Sequence, residues 1–386
     1  MITRFRQVEM RLMGPLTAIP IVLAVAVLGT IAALPVLAMV ISELTQDFIP
    51  PGLQHLVTVA VGCAGFIGIL ALNPIYAIWL ERKVAAHVQD RLGPMRVGWH
   101  GLLQSFADGI KLLFKEDLVP KNADPVLFRA APMLAIVSAF AAFAIVPWGV
   151  RSDGAVLAVA DLNIGVLYFV AITSLGALSV LMAGWGSNNK YALYGGMRAA
   201  AQMVSYEIPT AILVLLVVAQ VGTLSIPEIV AAQEGGFLGI GDWLIFQMFP
   251  LNLIGFVLFF ICGLAETNRT PFDIPEAESE LVAGFHTEYS GMRFAFFFLA
   301  EYGNMLLVSM LAALMFLGGW VGPFGSNPLL LFVKGFGLVV VQMWLRWTLP
   351  RLRVDQLMAV CWKYVIPISF FLLLVVAGVR GVGAGW

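Results

Sequence analysis

An all-α, polytopic membrane fold is what this sequence predicts, from three observations. Mean hydropathy is +0.92. Only 12% of the 386 residues are charged, about half the share usual in soluble domains. Nine apolar stretches approach the roughly 20 residues a helix needs to cross about 30 Å of hydrocarbon. The net charge of -1 excludes a basic nucleic-acid footprint. There is no glycine-rich phosphate loop, no G-x-G-x-x-G and no paired metal-ligand spacing, so no soluble cofactor has a resident site. Cys63, Cys262 and Cys361 are isolated in or beside apolar runs, which gives neither a disulfide framework nor a cluster.

The expected spans lie near 16–41, 54–80, 130–148, 164–184, 199–219, 244–265, 294–318, 329–349 and 359–379. The first follows Arg4, Arg6 and Arg11, but its apolar run is too long for a signal-peptide core. With the N-terminus inside, all Lys and Arg except Arg151, Lys334 and Arg380 fall on the cytoplasmic side. The positive-inside rule therefore orients the chain N-terminus in and C-terminus out. No internal repeat is visible, which argues against an inverted-repeat transporter.

Two inward segments carry most of the polar chemistry. Residues 81–125 begin ERKVAAHVQDRLGP and contain a helical pattern in which Gln104, Asp108, Lys111 and Lys115 oppose Leu103, Phe106, Ile110 and Phe114. This amphipathic helix is expected to lie in the interface plane. Residues 265–291, AETNRTPFDIPEAESELVAGFHTEYSG, hold six carboxylates against one arginine. On spacing alone, Glu276, Glu278 and Glu280 read as a solvated acidic face.

Two carboxylates sit deeper. At 1.5 Å per residue, Glu207 lies about 13 Å in from Arg198, and Glu301 about 12 Å in from Arg293. A lone carboxylate at such depth costs at least a few kcal/mol, faces the protein interior and usually marks an ion or proton route. Pro209, two residues after Glu207, removes a backbone donor and frees the carbonyl of Ser205, so a locally opened turn is expected there, with room for water. The alternative for each glutamate is a structural hydrogen bond, to Tyr206 or Asn304. With Glu81 and Glu266 at cytoplasmic span ends, the series would titrate as a coupled set.

Five segments together resemble one family: ERKVAAHVQDRLGP, GLLQSFADGIKLLFKED, GWGSNNKYALYGGMRAAAQMVSYEIP, the acidic stretch above and PRLRVDQLMAVCWK, in that order between about 70 and 379. The family is that of the H subunits of the proton-pumping NADH:quinone oxidoreductase, respiratory complex I. The resemblance implies a translocase component in the bacterial cytoplasmic (inner) membrane, joined to other membrane-arm and redox-arm subunits. It implies no permanently bound cofactor, with NADH, FMN and iron–sulfur clusters in partner subunits and a quinone, ubiquinone or menaquinone, as substrate. Arg82, Arg91, Arg269 and Arg293 would line the quinone passage. Phe294, Phe297 and Phe298 would line it for the isoprenoid tail, although each also reads as an ordinary packing residue. Glu207, Glu266, Glu276, Glu278 and Glu301 match the family's acidic channel, flanked by Glu81 and Asp108.

Against that family, residues 1–53 form an extra N-terminal membrane helix and periplasmic connection. Residues 54–386 form the membrane domain that resembles the family, with cytoplasmic loops near 81–129 and 266–293. Met95 stands where the family usually has asparagine. Leu175 stands where a few members carry a further carboxylate. The electron donor is chosen by other subunits, so a related hydrogenase or a ferredoxin-fed quinone reductase remains open. A stand-alone cation or proton transporter is the reading from a different class.

Overall fold

The computed structural model describes residues 51–150, 156–235, 241–275, 278–323 and 325–383. The first expected span, 16–41, lies outside the described residues. Among those described, the chain is helical, with one isolated bridge between Val150 and Val156. The helices are α1 (Pro51–Val88), α2 (Gln104–Phe114), α3 (Pro125–Phe143), α4 (Gly165–Gly186), α5 (Lys190–Val221), α6 (Ile226–Ala231), α7 (Leu251–Glu266), α8 (Glu278–Leu281), α9 (Gly291–Phe316), α10 (Pro328–Thr348), α11 (Val354–Val360) and α12 (Ile366–Gly383). Each of the remaining eight expected spans overlaps a helix, the one at 130–148 ending early at Phe143. Among the described residues six helices are long and apolar enough to cross a membrane: α3, α4, α5, α9, α10 and the run Val354–Arg380.

The helix starts have local causes. Asp124 accepts from the amides of Val126 and Leu127 ahead of Pro125. Asn189 accepts from Tyr191 and opens α5. Asn327 accepts from Leu329 ahead of Pro328. Each side chain satisfies amides that the first helical turn leaves open, and each proline loses nothing there. At its other end α5 closes on Gly222, whose φ of 88° suits a residue without a Cβ. One expected span starts late. The apolar residues from 244 to 250 form turns rather than helix, and Ile245 donates its amide to the carbonyl of Phe316, so the seventh helix begins only at Leu251.

The chain divides into two compact units, residues 1–110 and 111–386. In the first, α1 is tied to the loop that follows it: Trp79 Nε1 donates to the carbonyl of His100 at 3.2 Å. In the second, α5 packs against α4, α7 and α12, and α9 packs against α3, α7 and α10. Apolar residues inside a bilayer gain little from leaving lipid, so close helix contact depends on small residues. Gly184 of α4 meets Ala192 and Gly196 of α5, and the buried Ala131, Ala135, Ala139 and Ala142 give α3 a small-residue stripe.

Gly195 makes one of the closest approaches, and it borders the site. A Cβ there would lie 2.6 Å from the Cα of Gly284 and 2.8 Å from the amide nitrogen of Phe285. Both neighbours are backbone and cannot swing aside. Gly195→Ala is therefore expected to destabilise by about 1–3 kcal/mol, read as a lower thermal-inactivation midpoint of the assembled complex. Gly337→Ala, with nothing within 4 Å of its Cβ, is the control expected to leave the midpoint unchanged or raised.

Candidate functional site

The site begins where α7 ends. Glu266 is the last helical residue, and Asn268 then takes a φ of 51°, turning the chain back beneath α5. Gln202 of α5, 1% exposed, holds that turn. Its amide nitrogen reaches the carbonyls of Ala265 and Phe272, each at 2.8 Å, and Asn268 Oδ1 at 3.1 Å. A buried polar network of this kind fixes a loop that its sequence alone leaves free.

Arg269 projects from the turn and is 2% exposed. Its Nη2 lies 3.1 Å from Glu301 Oε1 on α9, and its guanidinium stands 4.4 Å over the Tyr302 ring. A cation this deep persists because a carboxylate and an aromatic face replace its water. Further along, Asp273 pairs with Arg351 at 2.9 Å and Glu280 with Arg198 at 2.6 Å. The acidic stretch is thus tied to three other elements by ion pairs, while Glu280 itself stays exposed, as a solvated face requires.

Glu266 and Glu301 face one cavity of about 50 Å³. At roughly 10–15 Å³ per water centre, that is room for a few waters. Its polar lining is completed by Ser138, Ser179, Thr267, Asn268 and Asn304, and its aromatic wall by Phe285, His286 and Phe297. Glu207, half-buried on α5, lies within electrostatic range of Glu266. The structure therefore brings three of the sequence-predicted carboxylates together. Glu276 lies outside the described residues, as does the side chain of Glu278 at the start of α8.

The aromatic residues expected beside a quinone form a continuous cluster. Phe294 and Phe298 are 4.6 Å apart, Phe297 lies 5.2 Å from His286 and 5.0 Å from Tyr289, and Tyr289 stacks on Phe128 at 4.2 Å. Burial pushes the Tyr289 phenol well above its usual range, outweighing the opposite pull of Arg293. Its hydroxyl donates to the carbonyl of Phe128 at 3.1 Å. Arg293 pairs with Asp117 at 3.0 Å and its guanidinium lies 5.5 Å over the Phe128 ring.

The first unit has its own polar arrangement. Arg82 pairs with Asp108 at 2.6 Å, and Gln104 donates to the other oxygen of Asp108 at 3.1 Å. The interfacial helix expected within residues 81–125 is a 3-10 turn, Trp99–Gly101, followed by the short α2. Leu103, just before α2, and Phe106, Ile110 and Phe114 on it are exposed. Glu81 is buried at 5% exposure, and Arg91 donates to Gln89 at 2.6 Å. Met95, the departure from asparagine, places its sulfur 3.0 Å from Lys83 Nζ. Burial lowers the pKa of that ammonium.

Sequence reasoning does not single out Gln202, Tyr302 or His286. Gln202 is the one with a usable signal, a polar side chain inside an apolar run and five residues before Glu207.

Comparison of the sequence with known proteins gives the family. The chain is 49% identical over 345 residues to the NADH-quinone oxidoreductase H subunit of Chlorobium luteolum, covering 85% of this chain and 90% of that one. It is 51% identical over 331 residues to the corresponding protein of Chlorobaculum tepidum, covering 81% and 89%. With one of the H subunits of Geobacter sulfurreducens it shares 45% over 341 residues, covering 84% and 95%. A family model described as NADH dehydrogenase matches residues 61–377. The chain belongs to the NADH dehydrogenase family. Its relatives within that family are the H subunits of NADH-quinone oxidoreductases. The segment matched by the NADH dehydrogenase model contains every candidate residue named above.

Proposed function

We propose that this chain is the H-type membrane component of a proton-translocating NADH:quinone oxidoreductase in a bacterial cytoplasmic membrane, N-terminus inside, assembled with membrane-arm and redox-arm partners. It contributes Arg82, Arg91, Arg269, Arg293, Phe294, Phe297 and Phe298 to the passage of the quinone. Glu207, Glu266, Glu276, Glu278 and Glu301, with Glu81 and Asp108, form the acidic set that couples quinone reduction to proton movement. Electrons come from NADH through FMN and iron–sulfur clusters held by partner subunits. Reducing a quinone to a quinol takes up two electrons and two protons. That changes the local charge, and carboxylates sharing a site cannot all hold charge at once, so a proton gained or lost by one shifts its neighbours.

The observation that carries this reading is the small cavity faced by both Glu266 and Glu301, with Glu207 in electrostatic range. Waters in it, bonded to Asn268, Asn304, Ser138 and Ser179, would pass a proton between the two carboxylates. Arg269 supplies the fixed positive charge against which Glu301 changes state. Glu266→Gln keeps the shape and removes the proton site. In the assembled complex, quinone reduction and coupled pumping are expected to fall about tenfold or more, while NADH oxidation by a hydrophilic artificial acceptor stays normal. Unchanged quinone reduction and pumping would rule out the relay.

A further inference from the structure

Pro209 interrupts the hydrogen bonds of α5 one turn beyond the carbonyl of Ser205, because proline brings no amide hydrogen to the residue four back. The sequence suggests that water fills this gap. Instead α5 runs unbroken from Lys190 to Val221, and Cys361 places its Sγ 3.2 Å from the Ser205 oxygen as donor. Ser205 is 5% exposed and Cys361 is completely buried. One residue on, the hydroxyl of Tyr206 donates to the carbonyl of Leu357 at 3.3 Å. Leu357 and Cys361 are four apart and share a face, so two consecutive residues of α5 are fastened to one face of the last helical run. Glu207 follows them directly.

The partner side is also irregular. Cys361–Val365 is a π-helical turn, a geometry concentrated at functional sites. A carbonyl left without its amide donor in one helix thus faces a bulge in another, joined by a thiol. We propose that Cys361 is a positioning residue for Glu207: its thiol replaces the donor that Pro209 removes, keeps the gap dry and fixes the direction in which the Glu207 turn points. This rests on the reading of Glu207 as part of the relay. A thiol suits the place because it gives a weak hydrogen bond without bringing in a strongly hydrated group.

The test uses the assembled complex with Cys361→Ala, Cys361→Ser and Pro209→Ala, and the last combined with Cys361→Ala. Quinone reduction in Cys361→Ala is expected to fall about threefold or more, the size of coupling seen between contacting residues, and Cys361→Ser to recover most of it. Alanine at 209 restores an amide donor to Ser205, so Cys361→Ala is expected to cost little in that background. Infrared difference spectra on quinone reduction give a direct readout. The carboxyl band that vanishes in Glu207→Gln is expected to shift in Cys361→Ala and return in Cys361→Ser.

The proposal is overturned by an unmoved Glu207 band, by serine doing no better than alanine, or by an equal cost of Cys361→Ala with and without Pro209. A Glu207→Gln variant that loses no band and keeps full activity would instead overturn the relay reading alone. If Pro209→Ala does not assemble, the alanine and serine comparison and its infrared band still decide.

Discussion

Arg269→Met is expected to cost about 3–5 kcal/mol, because it strips the neutralising guanidinium from a carboxylate that is mostly buried. The total stability of a fold is typically about 5–15 kcal/mol, so the loss should appear as poor assembly into the complex and a lowered unfolding temperature. Glu301 retains 18% of its exposure, which puts the effect toward the smaller end. Methionine keeps roughly the length of the arginine stem, and the apolar contact with Tyr302 survives in part. What goes is the charge pair and the cation over the ring. The double variant Arg269→Met with Glu301→Gln removes both charges and is expected to recover much of the stability while remaining defective in quinone reduction. Measuring both temperatures closes a double-mutant cycle. Equal losses in the single and double variants would mean that the pair does not carry the energy.

This pair also shows where sequence reading stops. Glu207, Glu266 and Glu301 stand out because a carboxylate in an apolar run is costly and therefore conspicuous. The caps Asp124, Asn189 and Asn327 explain the helix starts, whereas hydropathy alone places the first two of these spans late, at 130 and 199 instead of Pro125 and Lys190. Gln202 and Phe272, however, are 70 positions apart, and Cys361 and Ser205 are 156 apart. No local period encodes such contacts. Pro209 is legible as a lost donor, but the identity of its replacement depends on which helix packs beside α5. The apolar run at 244–250 reads as helix and folds as turns because hydropathy records burial and not backbone geometry.

Lys334 has a structural task that its sequence position does not show, and its replacement carries the second large effect. By position it is an exception to the charge asymmetry that orients the spans. The structure gives it a different task. Its ammonium donates to the carbonyls of Leu317, Gly319 and Val321 at 2.6, 2.9 and 2.6 Å, using all three of its hydrogens. It also stands 4.1 Å over the ring of Trp243. The carbonyls belong to the turn just past α9, where the helix dipole is negative and a cation is favoured. Gly318 and Gly319, at φ of 71° and 52°, bend the chain so that all three oxygens converge. Lys334→Met keeps the stem and leaves those oxygens without their donor, at about 1–3 kcal/mol for each one still buried. The expected result is a lower unfolding temperature and faster proteolysis of the complex within residues 317–327. Lys334→Arg should recover only part, since a planar fork cannot serve three converging acceptors as an ammonium does. A methionine variant as stable and protease-resistant as the parent would show that the carbonyl turn holds itself, leaving Lys334 as an incidental cation.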